Sequence, residues 1–136
     1  MDALQIIKLY IFTVPIFFAI DLFWLGLAAK GFYQRELGAF LSDKVNWPAA
    51  IIFYLIFIAG ILLFAVVPAI ENNSFSKAII MGALFGFFTY ATYDLTNLAT
   101  LKGWPIKMVL VDILWGIFLT SSVSTLSFLI ARRWIL

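Results

Sequence analysis

Four runs of roughly twenty or more mostly apolar residues, parted by short polar breaks, take up most of this 136-residue chain. Each run is long enough to cross the hydrocarbon core of a bilayer as a helix, at about 1.5 Å of rise per residue. In lipid every backbone N–H and C=O must be satisfied within the protein, which leaves helices or a closed β-barrel. Alternation with period two is absent and four segments are too few to close a barrel. The runs, about 4–29, 48–70, 77–101 and 105–131, therefore predict an all-α integral membrane four-helix bundle, one transmembrane domain over residues 1–136. Composition agrees: 65% of residues are hydrophobic and 12% charged, too little polar surface for a soluble domain of this size. The first run reads as a retained span, because Met1–Gln5 lacks a basic cluster and Asp21 interrupts the apolar stretch.

The breaks carry their own signals. Pro48 and Pro105 stand where a helix's first turn accepts proline, and Pro15 and Pro68 where a kink or a stop is expected. Trp47, Trp104 and Trp134 read as interfacial anchors. The longest connection, Lys30 to Trp47, holds an amphipathic piece, Phe32 to Leu41, suited to a short interfacial helix. Asp21-Leu22 and Trp47-Pro48 in the first half are echoed by Asp94-Leu95 and Trp104-Pro105 in the second. The two hairpins can thus be read as parallel copies.

An even number of spans puts both termini on one face, called here face A, with the first and third connections on face B. Face A carries Lys8, Lys77, Arg132 and Arg133, and face B carries Lys30, Arg35, Lys44, Lys102 and Lys107. These counts barely differ, and the Arg132-Arg133 pair beside the last span points to cytoplasmic termini.

Several chemistries are excluded. With no Cys and no His there is no disulfide, thiolate, zinc-finger or Ser–His chemistry. A metal would need oxygen ligands, and Asp21, Asp94 and Asp112 are the residues placed to supply them. No cofactor is required by the sequence. A formal charge of +2 without a basic block argues against nucleic acid as a partner. The expected partners are the lipid bilayer and, through small-residue faces, another copy of the chain as a homo-oligomer.

Against this apolar background three acids stand out. Asp21, Asp94 and Asp112 lie inside spans, where a charged side chain costs at least about 2.5 kcal/mol. Counted from Lys30, Lys102 and Lys107, they lie about 13, 12 and 8 Å inside face B, a shared layer. Asn97 sits about one turn from Asp94, Trp24 and Trp115 each follow an aspartate by three residues, and Tyr90 and Tyr93 flank Asp94. The expectation is a polar pocket open to face B, lined by Asp21, Asp94, Asn97, Asp112, Tyr90, Tyr93, Trp24 and Trp115. Adjacent carboxylates repel when both are charged, so such a pocket suits a cation, a proton or an amine. On a plainer view each aspartate only accepts bonds from neighbouring donors and locks the bundle.

Packing signals are separate. Gly82 and Gly86 form a GxxxG pair on the third span, and Gly60 and Gly116 serve similarly on the second and fourth. Such faces admit close helix approach, first of all within one protomer. The hydroxyls from Thr120 to Ser127 suit helix–helix or backbone bonding.

The strings Asp21-Leu22-Phe23-Trp24-Leu25, Trp47-Pro48-Ala49-Ala50, Tyr90 to Thr100 and Asp112-Ile113-Leu114-Trp115-Gly116 resemble those of a family of small bacterial inner-membrane proteins of unknown function. The resemblance spans nearly the whole chain. It implies four helices and a bacterial inner membrane, and it supplies no reaction or catalytic residue.

Three functions fit these residues. The first is binding or transport of a proton, cation or small polar solute. The second is a lipid-active enzyme or accessory protein using the same acids. The absence of any nucleophile–base pair leans away from an enzyme. The third is a structural or assembly subunit of the membrane.

Overall fold

The computed structural model describes residues 1–136 and is all-helical, with no strand. Its elements are α1 Ala3–Ala28, α2 Lys30–Leu37, α3 Trp47–Glu71, α4 Phe75–Thr100 and α5 Ile106–Ile135. All but α2 are long and apolar enough to cross a membrane. Their starts follow local chemistry. Asp2 and Gln5 form a reciprocal capping box at α1, with bonds of 2.8 and 2.9 Å. Asn46 caps α3 by accepting from Ala49 N–H at 3.2 Å, with Pro48 in the first turn. Ser74 caps α4 by accepting from Lys77 N–H at 3.1 Å. Asn73, at φ 47°, takes the left-handed backbone that reverses the chain between α3 and α4.

Two boundaries differ from expectation. The last span runs on through Arg132 and Arg133 to Ile135, because the arginines lay their stems along the helix instead of ending it. The Arg132 guanidinium lies 5.6 Å from the Phe128 ring centroid. The piece expected as an interfacial helix over Phe32 to Leu41 is helical from Lys30 to Leu37. Nor does it float on the surface. α2 folds back under the bundle, and buried Leu37 packs with Trp104, Met108 and Val109 at the start of α5. Pro15 stays within α1. Ahead of Pro68, α3 widens to π-type turns over Leu62–Val66, with Val67 N–H bonding back to the Leu62 carbonyl. That is a local answer to a residue that has no N–H and crowds the carbonyl four residues earlier.

The two hairpins pack differently. α4 and α5 run together along most of their length, and the small residues on α4 explain why. A β-carbon on Gly86 would meet the Thr120 hydroxyl and the Gly116 carbonyl, and one on Gly116 would meet the Tyr90 ring. The Thr120 hydroxyl lies 2.5 Å from the Gly82 carbonyl across the contact and 2.8 Å from that of Gly116 on its own helix. Ser121 donates to the Ile79 carbonyl at 3.1 Å. Gly82 and Gly86 thus face their own protomer's α5. Gly60 on α3 lies against the Phe85 ring, 2.8 Å from where its β-carbon would stand.

α1 and α3 meet through aromatic rings, with Phe17 edge-on to Tyr54 and Phe57 at 5.7 and 5.8 Å. The face-A half of the bundle is closed by Leu9, Ile58, Ile61, Val66, Leu119, Val123 and Phe128, all buried. Within it, the Thr13 hydroxyl donates to the Leu9 carbonyl at 2.7 Å and lies 3.0 Å from the Ser127 hydroxyl, which can donate to it. Most of the α5 hydroxyls therefore bridge helices and backbone, which is the plainer role expected of them.

Candidate functional site

The acidic layer lies in the face-B half, where α1, α2, α4 and α5 meet. Asp21, Asp94 and Asp112 are all buried. Asp94 on α4 sits beside Asp112 on α5. It is 0% exposed, and neither of its carboxyl oxygens has a hydrogen-bond partner. Asp112 accepts from the Tyr33 hydroxyl at 2.6 Å. The Trp24 indole N–H donates to that same hydroxyl oxygen at 3.2 Å, so Tyr33 is oriented from one side and donates to the other. Trp24 stacks on Trp115 at 4.4 Å with 7° between the planes, and Trp115 N–H reaches Asp21 at 3.4 Å. The Tyr54 hydroxyl also faces Asp21. Asp21 and Asp112 thus join one network running through two indoles and a phenol.

The local sequence explains how α1 delivers its share. After Phe23 the helix loosens into π-type turns over Trp24–Ala28, closed by Ala29 N–H to the Trp24 carbonyl at 2.8 Å. This break lets the chain turn at Ala29 into α2. Tyr33 then falls one turn along α2, facing inward with Leu37. Burial first, and the Asp112 carboxyl next, push the Tyr33 phenol well above its ordinary value of 10.0. At neutral pH it is a firm donor.

Beside the network lies a cavity of about 590 Å³. Phe53, Tyr54 and Phe57 of α3 form one wall, Thr89, Tyr90 and Tyr93 of α4 the other, and Asp112 lies on its lining. Nine of its eleven lining residues are hydrophobic, and none is Lys or Arg. Of the lining residues, Phe53 on α3 and Tyr93 on α4 are 52% and 55% exposed, and Leu25 on α1 is 38% exposed. Tyr33 and Leu37 of α2 also line this cavity.

Of the residues singled out in the sequence, Asp21, Asp94, Asp112, Trp24, Trp115, Tyr90 and Tyr93 gather in this half of the bundle. Asn97 approaches Tyr93 and gives no bond to Asp94. No three acids form a group able to hold a metal ion. Trp115 reaches Asp21, while Asp112 and Asp94 pair with each other. Sequence reasoning missed Tyr33 and Tyr54 as members of the site. The one signal for Tyr33 was the inward face of the amphipathic piece that carries it.

The model of the family described as Predicted membrane protein (DUF2177) matches residues 6–129, nearly the whole chain. The chain belongs to this family. The match takes in the second and third spans whole and most of the first and last, and with them every aspartate and tryptophan of the network. No curated protein and no solved structure matches the chain.

Proposed function

We propose that this family member is a membrane-embedded binding module whose lateral cleft admits an amphiphile from the bilayer. One observation carries this: a cavity of about 590 Å³ with mostly apolar walls, lined by exposed Phe53 of α3 and Tyr93 of α4, in which Asp112 and tyrosine hydroxyls supply the polar groups. Ligand sites in proteins are typically of this size and character, with a few placed polar groups fixing orientation. A molecule with a hydrocarbon body and a hydrogen-bonding end matches both surfaces. Binding is favoured over transport of a proton, cation or solute, because the interior on the face-A side is filled by Ile58, Ile61, Leu119 and Val123.

The test is native mass spectrometry of the chain purified from its membrane, beside a Thr89→Trp variant that fills the cleft. The expected result is a co-purifying amphiphile on the native chain and its loss from the variant, with helix content unchanged. Equal lipid retention by both would overturn the proposal.

A further inference from the structure

We infer that the ligand's polar end is an ammonium group, received at Asp112 with Asp94 as the second carboxyl behind it. This rests on the cleft described above and names the chemistry of its occupant. Asp112 is the one acid on the cavity lining, and one of its oxygens is taken by Tyr33. Asp94 stands next to it, fully buried, facing the Asp112 carboxyl and receiving no bond from any N–H, phenol or alcohol donor. A buried carboxyl with no donor is expensive, and native interiors seldom leave one so.

The missing partner must donate. Three of the nearby donors are committed: Tyr33 to Asp112, Trp24 to Tyr33, and Trp115 to Asp21. No lysine or arginine lines the cleft to balance the pair. An ammonium brings three N–H donors and a positive charge. It satisfies the free oxygen of Asp112 and brings a positive charge beside the adjoining Asp94 carboxyl. A phosphate or carboxylate end would meet like charge, and a hydroxyl end would bring a single donor and no charge. The aromatic walls add to the match, since Tyr54, Phe57 and Tyr90 can turn ring faces to a cation. The hydrocarbon body of the ligand then lies along Phe53 and Phe57 towards lipid.

The probe is tritiated dodecylammonium, with dodecanol and methylammonium as competitors, on the full chain in phosphatidylcholine nanodiscs against empty discs. Saturable binding is expected, at least about tenfold tighter for dodecylammonium than for dodecanol. Millimolar methylammonium should not compete. Asp112→Asn should remove the preference for the amine while leaving dodecanol binding in place. Asp94→Asn should lessen that preference, and Asp112→Glu should keep it, which separates lost charge from lost fold. Saturable binding with amine and alcohol equal in affinity overturns the ammonium assignment and leaves the cleft standing. Competition by methylammonium as strong as that by dodecylammonium assigns the site to a soluble amine and overturns the amphiphile. Saturable binding of neither long-chain probe overturns the cleft itself.

Discussion

Tyr33, on the short helix under the bundle, donates a 2.6 Å hydrogen bond to Asp112 in the last span, 79 positions along the chain. That bond and the one the Trp24 indole gives the same hydroxyl tie α2 to the membrane core, and the packing of Leu37 on Trp104 and Met108 supports them. Removing the hydroxyl leaves Asp112 without its donor. Tyr33→Phe is expected to weaken the docking of α2 by about 1.5–3 kcal/mol, the range for hydrogen bonds to charged groups. Lys30, Arg35 and Lys44 stand on and beside α2. Limited trypsin digestion should therefore cut the variant there several times faster than the native chain, and equal rates would show that packing alone holds α2.

The same bond sets a pH dependence. The Tyr33 phenol is raised in the folded protein, above its ordinary 10.0, by burial and by Asp112. A group raised on folding leaves stability untouched below its unfolded value. Stability then falls as pH climbs from that value towards the folded one, because only the unfolded chain releases the proton there. Thermal unfolding in detergent should thus be flat in Tyr33's contribution up to about pH 10 and decline above it. Tyr33→Phe should decline less steeply over the same window.

Much of this was legible from residue order. Span positions follow from hydrophobic length alone. Helix rotation does not, because an apolar helix in lipid has no wet side to betray which face turns inward. The pairing of Asp94 with Asp112, and the separation of Asp21 behind Trp115, therefore needed coordinates. The fold-back of α2 was hidden for another reason. An amphipathic octapeptide lies equally well on a headgroup layer or on a protein surface, and only Leu37, Trp104 and Met108 together decide between them. Tyr54 was invisible as a polar partner because its neighbours Phe53, Leu55 and Phe57 read as plain span.

Asp21 and Trp115 offer a direct measure of coupling across the network. Their contact, at 3.4 Å, is long for a hydrogen bond, and Trp115 is also fixed by stacking on Trp24. A double-mutant cycle with Asp21→Asn and Trp115→Phe should give an interaction energy of about 0.5–1 kcal/mol, the lower end for contacting pairs. Unfolding in mixed micelles by a denaturing detergent supplies the four stabilities. A cycle that closes to zero would mean that the indole serves Asp21 only through packing.

The closest backbone approach in the bundle makes the sharpest prediction. Gly86 faces Thr120 and Gly116 so tightly that a methyl group would overlap both, and the obstacle is partly a backbone carbonyl that cannot rotate away. Gly86→Ala must therefore push α4 from α5. The shift breaks the Thr120 bridge to the Gly82 carbonyl and misaligns Asp94 with Asp112 a few turns away. The expected loss is about 1–3 kcal/mol, the usual cost of overpacking. Gly26→Ala, at a position with nothing within 4 Å of the added carbon, is the matched control and should lie within about 0.5 kcal/mol of the native chain. Thermal unfolding of the two variants, followed by circular dichroism in the same micelles, compares them directly. If Gly86→Ala proves as stable as Gly26→Ala, then α4 and α5 are not held together by the close approach at Gly86 and Gly116.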